Sequence, residues 1–291
     1  MVRKFDADAT AAFFNTTFSD DQLAEIMANP DRRLHHRDRI MLRHIMPLIG
    51  KPDMRILDFG AGQGRLLREL LSAGYDALGM EKNEGMLRVA LSETREFGEG
   101  RAIQGDVENL PEYDDASFDL VILMGVFQYL EPGEYTRLLA EAHRLLRPGG
   151  YMVCTYQNAL FDMFTFNKYT VDFIMNDLLA GEIPEASQAA VQASLEKLLT
   201  KPDMPPYSPG RARDNIYVRT TNPLTVADEL SGHGFAMQRR WFYEFFGLPP
   251  LMSGDHPEIA ADTAARYEVD DAEGWKGNFM ANAFLILATR D

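Results

Sequence analysis

Short apolar runs alternate with segments whose apolar residues recur at helical spacing along most of this chain. Strand-like runs occur at 54–58, 75–81, 151–156, 235–246 and 283–289, and within 101–111 and 117–130. Helical patterns fill 65–71, 86–97, 135–146 and 222–230. Strands that alternate with helices are typical of an open, mostly parallel sheet with helices on both faces. The pattern therefore predicts an α/β fold.

Three segments interrupt this alternation and indicate additional structure. Residues 1–50 carry helical patterns, and 158–217 is too long for an ordinary connection, so we expect a mostly helical insertion there. A second excursion covers 247–277. We predict a core formed by 51–157 and 218–291, preceded by the N-terminal helical segment and covered by a helical lid at 158–217.

A glycine-rich turn joins the first predicted strand to the first predicted helix of the core. From Asp58 the chain reads Asp-Phe-Gly-Ala-Gly-Gln-Gly, and the helix begins at Arg65. Glycine permits positive φ and close approach of a ligand to the backbone, and open α/β sheets bind ligands beyond the carboxyl ends of their strands. A dinucleotide site would need glycine where Arg65 stands, so the spacing disfavours NAD. A P-loop is excluded, because no Gly-Lys-Ser or Gly-Lys-Thr follows.

The charge balance narrows the class of partner. The chain has 291 residues, 29 basic against 44 acidic, and a net charge of -15, which argues against a nucleic-acid partner. The alternative is that this acidity only keeps the protein soluble. No apolar run approaches the roughly 18 residues of a membrane span, and the first residues lack the apolar core of a signal peptide. Cys154 is the only cysteine, so no intrachain disulfide can form and we expect cytoplasmic residence.

Five ordered elements between residues 54 and 157 resemble the motifs of class I S-adenosylmethionine-dependent methyltransferases. They are the run from Asp58 to Gly64, an acid that ends the second strand, an acid after the third strand, the apolar run within 117–130, and Leu-Arg-Pro-Gly-Gly at 146–150. The resemblance implies a Rossmann-like seven-stranded sheet whose last strand lies antiparallel beside the fifth. It also implies S-adenosylmethionine as cofactor and S-adenosylhomocysteine as its product.

The same resemblance assigns roles around the cofactor. The glycine-rich run would hold the methionine part, the acid after the second strand the ribose, and the acid after the third strand the adenine. The implied cofactor residues are Arg37, Asp58, Gly60, Ala61, Gly62, Gly64, Glu81, Lys82, Asp106, Val107, Met124, Gly125 and Tyr129. The N-terminal segment would cap this site, with Arg37 or Arg39 at the cofactor carboxylate. Both arginines could instead belong to a solvated helix start, Glu81 could be an exposed acid at a strand end, and Asp106 could only form a turn.

Residues for catalysis and acceptor binding are less strongly marked. His256, in a Ser-Gly-Asp-His-Pro loop, is the candidate general base, and Tyr129 is the candidate to orient the acceptor. The candidate substrate contacts are Phe127, Tyr156, Gln157, Arg211 and Arg213. Core packing of the aromatic residues and a solvated basic loop are the alternatives. No metal-ligand spacing is evident, so we expect no metal.

These observations favour a methyltransferase that acts on an oxygen or nitrogen of a small molecule, such as a sugar or secondary metabolite. Two alternatives stay open: a catalytically silent binding module that keeps the fold, and an NAD-dependent oxidoreductase. We expect a small-molecule substrate as partner, no nucleic acid and no membrane, with a homodimer as a candidate assembly.

Overall fold

The computed structural model describes residues 5–6, 8–10, 12–13, 35–107, 113–182, 184–199, 216–250, 256–270 and 272–291. The chain divides into two compact units. The first, here called the sheet unit, comprises Phe5–Tyr156, Ala227–Trp241 and Leu285–Asp291. The second, here called the helical unit, contains Gln157–Val226 and Phe242–Phe284.

Eight strands within the described residues form a single sheet. They are β1 (Arg55–Phe59), β2 (Asp76–Glu81), β3 (Ala102–Gln104), β4 (Phe118–Leu123), β5 (Leu146–Asn158), β6 (Thr220–Thr221), β7 (Phe235–Phe245) and β8 (Ala281–Arg290). The order is β3-β2-β1-β4-β5-β8-β7, and β6 pairs with β5 off this path. β1 pairs in parallel with both β2 and β4, so Asp58 stands level with Gly79 on one side and Ile122 on the other. The central strand therefore delivers its acid to the carboxyl edge of the sheet.

Helices connect and flank these strands. They are α1 (His36–Ile40, a π-helical stretch at Met41–Ile45, and Met46–Ile49), α2 (Arg65–Ser72), α3 (Glu84–Glu93), α4 (Pro132–Leu145), α5 (Asp162–Thr165), α6 (Lys168–Phe173), α7 (Glu185–Leu199), α8 (Val226–Ser231), α9 (Pro257–Asp270) and α10 (Gly277–Met280). Single turns of 3-10 helix occur at Arg95–Phe97, Phe127–Tyr129 and Ala159–Phe161, and a π turn follows α6 at Ile174–Leu178. Among the described residues, no helix is both long and apolar enough to cross a membrane.

α1 widens in its middle, where the π-helical stretch Met41–Ile45 comes before Pro47. Pro47 cannot donate a backbone hydrogen bond, and its ring crowds the carbonyl four residues earlier, so the regular hydrogen-bond ladder is interrupted there. The helix keeps one apolar face, with Met41 and Ile45 fully buried. It ends where the Gly50 N–H donates to the Met46 carbonyl at 2.7 Å. Burial of this face holds α1 within the core of the sheet unit.

The predicted fold class is confirmed, with one strand more than expected. The additional strand is β6, whose two residues Thr220 and Thr221 pair with Gln157 and Asn158; such a short strand has no hydrophobic period to reveal it. The last strand, β8, lies beside β5 and the C-terminal strands run antiparallel, as the resemblance implied. β5 starts at Leu146, five residues earlier than predicted, because Leu146 pairs with Phe118 before the register shifts. The described part of 158–217 is mainly helical, and the domain boundaries stay predictions.

Candidate active site

The glycine turn after β1 adopts a conformation that only glycine takes readily. Gly60, Gly62 and Gly64 have φ of 76°, 58° and 75°. The N–H groups of Gly60 and Ala61 donate to the Met80 carbonyl at 2.8 and 2.9 Å, which ties the turn to the end of β2. The turn is therefore held open at the carboxyl edge of the two central strands.

Side chains added along this turn would meet different surroundings. A Cβ at Gly64 would lie 2.9 Å from the Ala90 Cα, so this glycine is needed for α2 and α3 to pack closely. A Cβ at Gly62 would meet only the Met86 sulfur, at 3.9 Å. Packing within the sheet unit therefore explains Gly64, whereas the described residues leave open space over Gly62.

The Glu81 carboxylate holds the glycine turn by hydrogen bonds from the backbone. Its Oε2 accepts the Gly62 N–H and its Oε1 accepts the Asn83 N–H, both at 2.8 Å. Burial raises the pKa of the Glu81 carboxyl, while the N–H groups that donate to it act in the opposite direction. Each carboxylate oxygen keeps acceptor capacity beyond one N–H, so Glu81 can hold the turn and still accept hydroxyl donors.

Asp106, the acid after β3, lies close to Lys82, which directly follows the last residue of β2. Asp106 Oδ2 lies 3.1 Å from Lys82 Nζ, and the lysine side chain is largely exposed. The neighbouring Val107 is buried. This arrangement brings the predicted adenine residues and Lys82 together at one place on the sheet edge.

The first turn of α1 reaches the end of β4. Gly125 has a φ of 79°, its N–H donates to Thr155 Oγ1 at 2.7 Å, and an added Cβ would lie 3.0 to 3.1 Å from the Arg37 guanidinium. Arg39 is exposed instead. Of the two arginines considered from the sequence, Arg37 is therefore the one that lies against the strand end, and only a glycine leaves room for it.

Two buried acids lie close to Arg37. Asp58, at the end of β1, is 4% exposed, and burial, with smaller contributions from the charges of Asp38 and Glu81, raises its pKa to about 7 against the influence of Arg37. Asp38 accepts the His35 N–H at 2.8 Å, and its pKa is also raised by burial. Arg37 thus lies near the carboxylates of Asp38 and Asp58, and both would be costly to ionise in their buried positions without a nearby cation.

Three aromatic rings next to the site pack into the core. The Phe127 ring lies 4.8 Å from the Tyr135 ring and 5.4 Å from the Tyr156 ring, measured between centroids. The hydroxyl groups of Tyr135 and Tyr156 lie 3.3 Å apart, and burial raises the pKa of Tyr156 well above its usual value. Phe127 and Tyr156 are completely or almost completely buried, so their role as substrate contacts stays a prediction. Met124 is buried as well, whereas Tyr129 is half-buried in the 3-10 turn.

The remaining predicted residues belong to the helical unit or lie outside the described residues. Gln157 belongs to the helical unit, where it pairs with Thr220. His256 is exposed in the same unit, just before α9, and its carbonyl accepts the Ala260 N–H. Arg211 and Arg213 lie outside the described residues. Across the ranges that the structure covers, no group of three His, Cys, Asp or Glu side chains is placed to hold a metal ion.

Sequence reasoning did not identify four side chains around the turn, which are those of His35, Asp38, Gln63 and Arg65. His35 and Asp38 form the capping box of α1, and the His35 ring contacts the Arg65 guanidinium through Nε2. Gln63 is buried between two glycines, and its Nε2 has no hydrogen-bond partner within the described part of the chain. An acid three residues after a polar residue is a signal for a helix start, and it could have marked Asp38.

The family comparison agrees with this geometry. Residues 57–154 match the model of the family described as "Methyltransferase domain". These residues run from β1 through most of β5, and they contain the glycine turn, Glu81, Asp106 and Gly125. The match therefore covers the part of the sheet unit that carries the candidate site.

Individual relatives are similar over part of the chain. The chain is 29% identical over 130 residues to a ubiquinone biosynthesis O-methyltransferase from Maricaulis maris, which covers 44% of this chain and 50% of that protein. It is 32% identical over 167 residues to phthiotriol/phenolphthiotriol dimycocerosates methyltransferase 1 from Mycobacterium ulcerans, covering 53% of this chain and 56% of the relative. The chain thus spans about half the length of these curated relatives.

A solved structure shares the fold over most of the chain. Phospholethanolamine N-methyltransferase 2 from Haemonchus contortus, solved with phosphomonomethylethanolamine and S-adenosylhomocysteine, superposes with a TM-score of 0.56 at 17% identity. The superposition covers 97% of this chain and 60% of that one. The chain therefore has the fold of this methyltransferase, and its residues 57–154 match the methyltransferase-domain family.

Proposed function

We propose that this protein transfers the methyl group of S-adenosylmethionine to an oxygen or nitrogen of a small molecule. One observation carries the proposal. The open backbone at Gly62, the Glu81 carboxylate and the Arg37 guanidinium beside Gly125 all lie at the carboxyl ends of neighbouring strands of the sheet unit. Ligands of open α/β sheets bind at this edge.

The described residues fit the polar groups of the cofactor. Arg37 would pair with the carboxylate and Asp58 with the ammonium of the methionine part, since each group then meets the opposite charge. Glu81 would accept from the ribose hydroxyls, and Asp106 from the adenine amino group with Val107 against the ring. Two features support this fit independently of the acids: the space over Gly62 and the buried amide of Gln63.

The cofactor would supply an activated methyl group on a sulfonium. This chain would contribute orientation, because an in-line displacement depends on holding the acceptor at the methyl carbon in a dry site. Tyr129 follows Gly125 in a half-buried turn and is the described candidate to orient the acceptor. A hydroxyl acceptor must lose its proton, and His256 remains the candidate base.

The names of the relatives support a small acceptor. The relative from Maricaulis maris is named an O-methyltransferase, which favours oxygen as the acceptor atom. The structure from Haemonchus contortus contains a small phosphorylated amine, which keeps nitrogen open. An anionic acceptor would agree with the predicted roles of Arg211 and Arg213.

Calorimetric titration tests the cofactor part of the proposal. We expect S-adenosylmethionine and S-adenosylhomocysteine to bind and NAD not to bind. Gly62→Val should abolish this binding, because a branched side chain would fill the space over the turn. Gly149→Val is the matched control, since Gly149 also has a positive φ, of 73°, and open space around it. Binding of NAD alone would support the oxidoreductase, and unimpaired binding by Gly62→Val would overturn the site assignment.

A second measurement separates the enzyme from a silent binding module. The purified protein is incubated with methyl-labelled S-adenosylmethionine and a panel of hydroxyl-bearing and amine-bearing small molecules. Transfer of label to any of them supports the enzyme. Tight cofactor binding without transfer across the panel would favour the binding module.

A further inference from the structure

Asp38 has a stronger connection to the candidate site than its position in a helix cap requires. Its Oδ2 accepts the His35 N–H at 2.8 Å, which is the expected role of an acid in the third position of a helix. Its Oδ1 lies 3.9 Å from Arg37 Nε, and the side chain is only 7% exposed. A cap on the protein surface does not need to be buried, so the burial of this carboxylate calls for a second explanation.

Arg37 is the group that Asp38 can influence. The guanidinium lies over Gly125, next to the space that a side chain at this position would occupy. An arginine side chain has many rotamers. It loses this freedom when the planar guanidinium binds a carboxylate in a defined direction. The buried Asp38 carboxylate, 3.9 Å from Nε, forms an ion pair with the guanidinium and thereby limits the rotamers that Arg37 can take.

The electrostatic surroundings connect Asp38 to the acid at the end of β1. Burial is the main cause of the raised pKa of Asp58; the charges of Asp38 and Glu81 raise it further, and the charge of Arg37 lowers it. On the other side, Arg65 contacts His35 and interacts with Asp38. The first turn of α1 and the glycine turn therefore form one charged network, in which Arg37 and Asp58 offer opposite charges to a ligand.

We infer that Asp38 is a positioning residue, which holds Arg37 in place and thereby makes the site select ligands that carry a complete α-amino acid group. This inference rests on the proposed function and deepens it, because S-adenosylmethionine carries such a group. A ligand that lacks the amino acid end, such as 5′-methylthioadenosine, would use the ribose and adenine contacts without Arg37. A change at Asp38 should then lower the affinity for ligands with the amino acid group and leave the affinity for 5′-methylthioadenosine unchanged.

The experiment compares two probes on four proteins. S-adenosylhomocysteine and 5′-methylthioadenosine are titrated into the parent, Asp38→Asn, Arg37→Gln and the double variant. Asp38→Asn keeps the shape of the side chain, and its amide oxygen can still accept the His35 N–H. We expect it to weaken S-adenosylhomocysteine binding by about tenfold, the size of one lost charge-assisted contact, and to change 5′-methylthioadenosine binding less than about twofold. The double variant should bind no more weakly than Arg37→Gln, because Asp38 acts through Arg37.

Two controls separate positioning from folding. Glu134→Gln alters the acid of the corresponding capping box in α4, which forms no ion pair with an arginine among the described residues, and should change neither affinity. Asp38→Glu keeps the charge but moves it, and should show the same ligand-selective loss. Equal losses for the two probes, or additive losses in the double variant, would overturn the inference. If the parent binds neither probe, the proposed function fails before the inference is reached.

Discussion

The ionisation of Asp58 has a predicted cost that can be measured. Asp58 lies at the end of β1, and its pKa of about 7 compares with an ordinary value of 3.8. Between these values the folded state keeps a proton that the unfolded chain has lost. The free energy of unfolding should therefore fall as the pH rises from about 4 to about 7. At about 1.4 kcal/mol per pKa unit, the full difference corresponds to about 4 kcal/mol.

Substitution by asparagine isolates this contribution. Asp58→Asn resembles the protonated acid in shape and cannot ionise, so it should not share the loss of stability at high pH. Urea unfolding should show that the free energy of unfolding falls between about pH 5 and about pH 8. The fall should be larger in the parent than in the variant by about 2.5 kcal/mol. Asp114→Asn, which changes an exposed acid, is the control and should follow the parent.

Ligand binding supplies the second half of this test. If the ionised acid meets the ammonium of the cofactor, the parent should bind S-adenosylhomocysteine about tenfold more tightly at pH 8 than at pH 6. Arg37, Asp38 and Glu81 surround Asp58 and set the midpoint of this change. Asp58→Asn should bind weakly with little dependence on pH. Identical pH profiles of unfolding in parent and variant would refute the reasoning, because burial of Asp58 would then carry no ionisation cost.

Three further predictions concern the same unit of the protein. Gly64→Ala should lower the free energy of unfolding by about 1–3 kcal/mol in urea, because φ is 75° and the new Cβ would lie 2.9 Å from Ala90 Cα; unchanged stability would contradict this. Cys154 is buried and its pKa is raised to about 12, so an aromatic disulfide reagent should modify it only after unfolding, and rapid labelling of the native protein would refute its burial. Gln63→Met should raise the stability of the ligand-free protein by about 1–3 kcal/mol in urea, since an unsatisfied buried amide is removed, whereas a loss would show that the amide is paired.

The sequence by itself determined the sheet and the glycine turn. The alternation of apolar runs and helical patterns is a local signal, and it placed seven of the eight strands in the described residues. The turn from Asp58 to Gly64 is also local, since three closely spaced glycines between a strand and a helix have one common geometric use. Glu81 could be proposed for the same reason, as an acid at the end of the next strand.

Only the tertiary structure decided which charged residues lie close together at the candidate site. Arg37 and Arg39 are equivalent in sequence, yet one lies against Gly125 and the other is exposed, because α1 turns one of its faces towards the end of β4. Asp38 gains its surroundings from Asp58 and Arg65, which are distant in the chain. Phe127 and Tyr156, predicted from the sequence as substrate contacts, are buried against Tyr135, and their role stays a prediction. The physical reason is that a hydrophobic period fixes which residues face the core, whereas pairing of charges depends on which elements the packed core brings together.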